Sequence, residues 1–189
     1  MIRKAVFLDR DGTVSRYTEY CRRPQDFELQ PDAGAAIRRL NEVGLLVVLV
    51  TNQSAIGRGW LTLETLQRIH EKMHRQLRRQ GARVDAVYVC PHHPADGCGC
   101  RKPEVGLLLQ AVSEWQIDLS SSYVVGDRWL DIASGHAAGC TSVLVCSGHP
   151  QEPGHEVRPD FEAQTLSEAV AWIVSQESAI VERNRSCGV

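Results

Sequence analysis

Five short runs of apolar, largely β-branched residues alternate along the chain with amphipathic stretches of helical period. Runs that are apolar at nearly every position are typical of strands covered on both faces. Strands that alternate with helices favour a parallel sheet with helical crossovers. The runs are Lys4–Leu8, Leu45–Val50, Asp85–Val89, Tyr123–Val125 and Thr141–Cys146. The pattern predicts an α/β fold with a mostly parallel sheet and helices on both faces.

The helical stretches carry start and stop signals. Pro31–Val43 is followed by Gly44, and Thr62–Gln80 by Gly81, a residue that is common just past helix ends. The other predicted helices are Glu104–Trp115, Leu130–Ala138 and Thr165–Ser175. The chain has 189 residues, which fits one domain. We predict that domain over residues 1–177 and a frayed tail over residues 178–189.

The charge balance argues against several classes of partner. Lys and Arg number 21, Asp and Glu number 23, and the formal net charge is −2, which gives no reason to expect a nucleic-acid or membrane surface. No apolar run approaches the ~18 residues that span a bilayer, and the apolar start is too short for a signal-peptide core. We therefore expect a cytoplasmic protein. The oligomeric state is left open, and a monomer is compatible with the sequence.

Polar residues gather directly after the predicted strands. In a parallel α/β sheet the ligand site lies beyond the carboxyl ends of the strands. These residues include a nucleophile, an acid, a hydroxyl, an ammonium and a metal-binding carboxylate, which together are what phosphoryl transfer needs. The groups are Asp9-Arg10-Asp11-Gly12-Thr13, Thr51-Asn52-Gln53-Ser54, Arg101-Lys102-Pro103 and Gly126-Asp127-Arg128, with Asp131 shortly after.

These groups, in this order, resemble the four motifs of the haloacid dehalogenase superfamily of phosphatases, whose first motif is D-x-D-G-T after a buried strand. The resemblance implies a Rossmann-like three-layer sandwich without a large cap domain. It implies that Asp9 is the nucleophile that forms an aspartyl-phosphate intermediate and that Asp11 is the general acid and base. It also implies that catalytic Mg²⁺ is held by Asp9, the backbone carbonyl of Asp11 and Asp127.

Other residues of these motifs are expected to bind the phosphate or the rest of the substrate. By the same resemblance, Thr51 hydrogen-bonds one phosphate oxygen and Lys102 neutralises another. Asp131 has two interpretations of equal weight: a partner for the metal or for Lys102, or a carboxylate favoured at a helix N-terminus. The remaining candidates for substrate binding are Asn52, Gln53, Arg58, Arg101 and Arg128.

A loop rich in metal ligands, residues 90–100, precedes Arg101. Three thiols and one imidazole are a sufficient tetrahedral set for structural Zn²⁺, and the loop has little apolar surface to pack. Since its last thiol directly precedes Arg101 and Lys102, a closed zinc site would fix the base of those cations. His93 is the alternative to His92 as the imidazole ligand. The predicted set is Cys90, His92, Cys98 and Cys100.

The cysteine loop and the segment Thr51–Gly59 resemble one branch of the superfamily, that of the heptose bisphosphate phosphatases and histidinol-phosphate phosphatases. The match covers residues 4–150 and departs from the branch at Ala55 and Arg128, where Gly and Lys are expected. It implies removal of the 7-phosphate of D-glycero-D-manno-heptose 1,7-bisphosphate, a precursor of nucleotide-activated heptose and the lipopolysaccharide core. Cationic Arg58, Arg101 and Arg128 favour a second phosphate, because guanidinium binds phosphate in bidentate fashion. Histidinol phosphate, which carries an ammonium instead, is the alternative substrate.

A short motif offers an alternative from another class of chemistry. His70-Glu71-Lys72-Met73-His74 matches H-E-x-x-H, the helical motif of zinc proteases. A protease needs a third metal ligand, and this interpretation leaves the four phosphatase motifs unexplained. A catalytically inactive binding module is a further alternative, against which the intact Asp9 and Asp11 argue.

Overall fold

The computed structural model describes residues 2–146 and 157–186. The strands are β1 (Ala5–Leu8), β2 (Leu46–Asn52), β3 (Ala86–Cys90), β4 (Tyr123–Gly126), β5 (Thr141–Val145) and β6 (Phe161–Ala163). All their pairings are parallel, and they form one sheet in the order β3-β2-β1-β4-β5-β6. The predicted parallel α/β architecture is confirmed. Edge strand β6 was not predicted, because its three residues are too few to show the alternation of a strand.

In the described residues, six α-helices connect or follow these strands. Helix α3 begins after Thr62, whose side chain accepts a hydrogen bond from the backbone N–H of Thr65 at 3.1 Å, as an N-cap should. Short 3₁₀ turns occupy Pro24–Asp26, Pro94–Asp96 and Leu119–Ser121. The helices are α1 (Ala33–Glu42), α2 (Ser54–Gly57), α3 (Leu63–Arg79), α4 (Gly106–Trp115), α5 (Trp129–Ala137) and α6 (Leu166–Ser186).

Helix α6 is longer than the sequence predicts. It continues to Ser186, past the expected helix end at Ser175 and past the expected domain boundary at residue 177. Glu177 accepts hydrogen bonds from Lys4 Nζ at 2.8 Å and from the hydroxyl of Tyr123 at 2.9 Å. These bonds tie the helix to Lys4, just before β1, and to Tyr123 in β4, which are distant in sequence. Residues 187–189 of the predicted tail lie outside the described residues.

The sheet is buried on both faces, which explains the near-continuous apolar runs. In β1, Val6 and Leu8 belong to the core beneath α1, α3 and α6, while Ala5 and Phe7 belong to the core on the opposite face. Helix α4 packs on that second face. Helix α5 does so too, since a Cβ at Gly135 would lie 3.0 Å from the Val124 side chain. The arrangement is the predicted three-layer sandwich.

The strand order reverses direction at β1. The chain runs outward from β1 to β2 and β3, then returns to the other side of β1 to form β4. Leu8 pairs with Val125, so Asp9 and Asp127 emerge side by side from neighbouring strand ends. Ligand sites of doubly wound sheets lie at such a switch point. The fold therefore brings the first and last of the four motifs together.

Within the described part of the chain, no helix combines the length and the apolar character that crossing a bilayer requires. The cytoplasmic location stays a prediction.

Candidate active site and metal centres

A polar cleft of about 290 Å³ opens above the carboxyl ends of β1, β2 and β4. Its size is close to the lower end of the ~300–1,000 Å³ common for small-molecule sites. Residues from the segment after β1, from the turn after β2 and from the loop before α4 line it. All of the predicted catalytic and substrate-binding residues line the cleft: Asp9, Asp11, Thr51, Asn52, Gln53, Arg58, Arg101, Lys102 and Arg128.

Lys102 lies at the floor of this cleft and is almost completely buried. Its ammonium donates to Asp9 Oδ1 at 2.5 Å, to Asp131 Oδ1 at 2.5 Å and to the carbonyl of Val50 at 2.9 Å. Burial alone would lower the pKa of Lys102, but the charges of Asp131 and Asp9 outweigh burial and raise it. The ammonium is therefore a fixed positive charge beside Asp9.

Three buried carboxylates gather around this lysine. Asp9, Asp127 and Asp131 each offer an oxygen within 4.8 Å of the others. Burial raises the pKa of Asp9 to about 8; Lys102 opposes that rise, and the charges of Asp131 and Asp127 add to it. Such a concentration of negative charge favours a cation, and carboxylate oxygens are the ligands that Mg²⁺ prefers. The donor set therefore fits the predicted metal.

Two glycines allow the carboxylates to approach the backbone. A Cβ at Gly12 would lie 2.0 Å from Asp127 Oδ2, and Gly12 has a φ of 96°, which side chains rarely adopt. A Cβ at Gly126 would lie 2.2 Å from Asp131 Cγ. The glycines of the first and fourth motifs are thus required by the packing of the acidic cluster.

Asp131 satisfies both interpretations that the sequence left open. Its Oδ1 accepts from Lys102, and its Oδ2 accepts from the backbone N–H of Arg128 at 3.2 Å. The carboxylate therefore caps the N-terminus of α5 and holds the lysine at the same time.

The carboxylate of Asp11 points to a different set of partners. Arg10 Nε and Nη2 donate to its two oxygens at 3.0 and 2.7 Å, and Gln53 Nε2 donates to Oδ2 at 2.9 Å. The side chain of Asp11 keeps 20% of its surface exposed and lines the cleft beside Asp9. It is therefore outside the carboxylate cluster yet within reach of a bound ester.

The turn after β2 gives its polar residues unequal tasks. Thr51 Oγ1 accepts from Gln53 Nε2 at 2.8 Å, which leaves the hydroxyl proton of Thr51 to donate to a ligand. Asn52 is used differently from the prediction. Its amide donates to the carbonyl of Lys102 and accepts from the N–H of Lys102, both at 3.1 Å. With both ends of its amide engaged, Asn52 holds the lysine loop, and Gln53 joins Thr51 to Asp11.

Aromatic residues that the sequence analysis missed support one of the cleft arginines. The guanidinium of Arg58 stacks 5.1 Å above the ring of Trp60, and Trp60 meets Tyr20 edge-to-face at 5.0 Å. Among the described residues, Arg58 Nε and Arg101 Nη1 are buried polar atoms without a hydrogen-bond partner. Buried donors of this kind are rare unless a ligand or water takes them. Both arginines are therefore placed to receive an anionic group.

The segment Tyr17–Cys21 also lines the cleft, which the sequence analysis did not predict. Its only sequence signal is its position, directly after the D-x-D-G-T turn and before the turn at Pro24–Asp26.

The H-E-x-x-H motif does not form a metal site. His70 Nε2 lies 3.2 Å from Arg10 Nη1, and a guanidinium at the nitrogen that would bind a cation excludes one. Among the described residues, the metal-competent clusters include neither His70 nor His74. Glu71 is exposed on α3. The protease alternative is therefore wrong.

The cysteine loop forms a second cluster beside the cleft. Sγ of Cys98 lies 3.6 Å from Sγ of both Cys90 and Cys100, and His92 Nδ1 lies 3.6 Å from Cys90 Sγ and 3.2 Å from Cys100 Sγ. Tetrahedral zinc with Zn–S bonds of ~2.3 Å requires sulfur atoms about 3.8 Å apart. The spacing therefore fits a closed four-ligand metal site.

His93, the alternative imidazole, has a structural task instead. Its ring Nδ1 accepts from the backbone N–H of Ala95 at 3.1 Å, and the backbone N–H of His93 donates to Asp96 Oδ2 at 2.8 Å. These bonds cap the turn Pro94–Asp96. His92 is the imidazole of the cluster.

Comparisons with known proteins agree with this geometry. A family model described as HAD-hydrolase-like matches residues 99–169. A D-glycero-beta-D-manno-heptose-1,7-bisphosphate 7-phosphatase of Bordetella bronchiseptica is 40% identical over 147 residues, which cover 77% of this chain and 82% of the relative. A relative of the same name from Haemophilus ducreyi is 37% identical over 181 residues, covering 92% of this chain and 100% of the relative.

A solved structure matches at the level of the whole fold. The D,D-heptose 1,7-bisphosphate phosphatase from B. bronchiseptica, complexed with magnesium and phosphate, superposes with a TM-score of 0.82 at 33% identity. The match covers 92% of this chain and 99% of that one. The likeness therefore extends over the strand ends that form the cleft.

Proposed function

The chain belongs to the haloacid dehalogenase-like hydrolases, in the branch of the heptose bisphosphate phosphatases, and from this premise we propose that it removes the 7-phosphate of D-glycero-D-manno-heptose 1,7-bisphosphate through a phosphorylated Asp9. It is a phosphatase. The observation that carries the proposal is the contact between Lys102 and Asp9 at the floor of a polar cleft that arginine side chains also line. That contact fixes a carboxylate next to the charge that a phosphate needs.

In the first step, a carboxylate oxygen of Asp9 attacks phosphorus and the bond from phosphorus to the sugar oxygen breaks. Asp11 gives its proton to the departing oxygen, so the sugar leaves as an alcohol. The hydroxyl of Thr51 donates to one phosphate oxygen, and the positive charge of Lys102 neutralises another. Electrostatic stabilisation by such fixed groups is the main catalytic resource in phosphoryl transfer.

In the second step, water attacks the phosphorus of the aspartyl phosphate and Asp11 takes the proton of that water. Inorganic phosphate leaves, and the Asp9 carboxylate is restored. Asp11 lines the cleft beside Asp9, a position that supports both proton transfers.

We propose that Asp9, Asp127 and the backbone carbonyl of Asp11 hold Mg²⁺. Asp131, which is hydrogen-bonded to Lys102, adds to the negative charge of the cluster. The metal offsets the repulsion between the Asp9 carboxylate and the phosphate. Support comes from the cluster of buried carboxylates and from the magnesium and phosphate in the similar phosphatase.

We propose that the second metal is structural Zn²⁺ on Cys90, His92, Cys98 and Cys100. A full ligand set leaves no open position for chemistry. The loop it closes is tied to the active site, because Gln53 donates its backbone N–H to the carbonyl of Cys90 at 2.8 Å. Zinc would thereby hold both the turn after β2 and the base of Lys102.

The cleft's cations support a second phosphate on the substrate. Arg58 and Arg101 carry buried donors without partners in the described structure, and Arg128 lines the same cleft. Guanidinium groups bind phosphate with two parallel hydrogen bonds. A sugar bisphosphate would satisfy these donors after its other phosphate reaches Asp9.

One observation favours histidinol phosphate as a second candidate. Glu19 lines the cleft and offers a carboxylate for a substrate ammonium. Asp96, an acidic residue of the cysteine loop, already accepts from the backbone N–H of His93. The two substrates therefore differ in the residues that would bind the end of the molecule away from the transferred phosphate. The arginines would bind a second phosphate, and Glu19 would bind the ammonium of histidinol phosphate.

A comparison of kcat/KM for heptose 1,7-bisphosphate, fructose 1,6-bisphosphate and histidinol phosphate, with Mg²⁺, tests the assignment. The heptose should be the best substrate and histidinol phosphate the worst. Preference for histidinol phosphate that disappears in Glu19→Gln would transfer the assignment to the second candidate. No turnover of any phosphate ester would overturn the function altogether.

A further inference from the structure

The guanidinium of Arg10 is completely buried, although arginine is almost never buried unless it is paired. It lies in the turn between the two aspartates of the first motif. Its Nε and Nη2 donate to both oxygens of Asp11, at 3.0 and 2.7 Å. A fork of two parallel bonds fixes the plane of a carboxylate as well as its position.

The far side of the same guanidinium is held by helix α3. Arg10 Nη1 lies 3.2 Å from His70 Nε2. Burial lowers the pKa of His70 to about 3, and the positive charge of Arg10 contributes to that shift. The neutral imidazole accepts the hydrogen bond at Nε2 and carries its proton on Nδ1. His70 therefore fixes the rotation of Arg10 about its own long axis.

The backbone of Arg10 is equally constrained. Its carbonyl accepts from the N–H groups of Val14 and Ser15 and from Ser15 Oγ, at 2.8 to 3.0 Å. Hydrogen bonds therefore hold both the side chain and the main chain of Arg10. The guanidinium of Arg10 therefore contacts Asp11 from outside the cleft, while Asp11 itself lines the cleft.

We propose that Arg10, backed by His70, is a positioning residue that aims the carboxyl group of Asp11 at the leaving oxygen of the substrate. The inference rests on the proposed role of Asp11 as general acid. It gives the His70 of the H-E-x-x-H motif a task in the phosphatase reaction: it orients a guanidinium that in turn orients the acid. Neither Arg10 nor His70 lines the cleft.

The test uses two esters whose leaving groups differ in their need for an acid. A sugar phosphate such as fructose 1,6-bisphosphate expels an alkoxide and needs a proton, whereas p-nitrophenyl phosphate expels a stable phenolate and does not. The parameter is kcat/KM, which covers only the steps through loss of the leaving group. General acid catalysis raises the rate by roughly 10²–10⁴-fold. Loss of the acid should therefore lower kcat/KM for the sugar phosphate but not for p-nitrophenyl phosphate.

Arg10→Met should lower kcat/KM for the sugar phosphate on the order of 10²-fold and leave that for the aryl phosphate within about threefold. His70→Leu should show the same split at smaller size, and His70→Gln, which keeps an acceptor, should stay near wild type. Glu71→Gln, an exposed neighbour on α3, is the matched control. The histidine variants keep the inference testable if Arg10→Met does not fold.

Equal losses for both esters in Arg10→Met and His70→Leu would mean that the pair only stabilises the fold, and would overturn the inference. Asp11→Ala separates this failure from that of the proposed function. If Asp11→Ala splits the two esters and the other variants do not, the phosphatase mechanism stands and only the positioning role falls. If Asp11→Ala shows no split, the acid role of Asp11 falls, and the inference with it.

Discussion

Asp131 links Lys102 to the helix behind it: one carboxylate oxygen accepts from the lysine ammonium at 2.5 Å, and the other accepts from the backbone at the start of α5. Asp131→Asn removes the charge that helps to hold the ammonium. Loss of a charge-assisted hydrogen bond costs about 1.5–3 kcal/mol, or roughly 10–150-fold in kcat/KM. Steady-state kinetics with a sugar bisphosphate measures this loss.

Asp118→Asn provides the control for Asp131→Asn. Asp118 caps the turn Leu119–Ser121 by accepting from the N–H of Ser120 at 3.0 Å and lies outside the cleft. It should change stability slightly and turnover not at all. Wild-type turnover in Asp131→Asn would show that Lys102 does not depend on this carboxylate.

Arg101→Ala tests the proposal that this arginine binds the second phosphate of the substrate. It should reduce kcat/KM for heptose 1,7-bisphosphate by roughly 10–150-fold, because one charge-assisted contact of ~1.5–3 kcal/mol is lost. A monophosphate ester should suffer much less. Arg68→Ala is the matched control, since Arg68 forms only an exposed pair with Glu64, worth ~0–1 kcal/mol. Equal damage to both substrates would reject the bisphosphate reading.

The two proposed metals should respond differently to chelation. Mild chelation should remove Mg²⁺ and activity reversibly, whereas zinc should stay, because thiolates hold it far more tightly than carboxylates hold Mg²⁺. Elemental analysis should find about one zinc per chain. Cys98→Ser should lose zinc and lower the Tm, while Cys146→Ser, an exposed thiol outside the cluster, should do neither. Active protein that contains no zinc would contradict the structural site.

His70 gives a stability prediction with a defined sign. Its folded pKa of about 3 lies below its ordinary value of 6.5, so below pH 6.5 the unfolded chain binds a proton that the folded chain does not. The free energy of unfolding contributed by this group is therefore fully present above pH 6.5 and falls as the pH drops towards 3, by at most about 1.4 kcal/mol per pH unit. Urea unfolding of wild type and His70→Gln from pH 4 to 7 isolates the effect. If the free energies of unfolding of the two proteins changed in parallel with pH, a contribution from His70 would be excluded.

Much of the fold and the site followed from the sequence because both depend on local pattern. Buried parallel strands are apolar throughout, and their carboxyl ends must meet at one edge, so Asp9, Thr51 and Asp127 were predictable as neighbours. The thiols of the cysteine loop were predictable as a cluster because that loop has little apolar surface to pack.

The remaining features depend on contacts between distant segments. Nothing near Arg10 in the sequence indicates that its side chain is buried, since its partner His70 is supplied by another helix. Asn52 resembled a ligand residue, and only the packing of the loop before α4 shows that its amide holds Lys102. The stack of Arg58 on Trp60 against Tyr20 likewise joins two segments that no periodicity connects.

The central claim is that phosphate passes through a covalent bond to Asp9. Rapid quenching during turnover, followed by borohydride, reduces an aspartyl phosphate to homoserine, which tandem mass spectrometry can locate in the chain. The account predicts homoserine at position 9 alone, and none in Asp9→Asn, which should also lose turnover because an amide is a poor nucleophile. Substantial turnover by Asp9→Asn, or the modification at another residue, would contradict it.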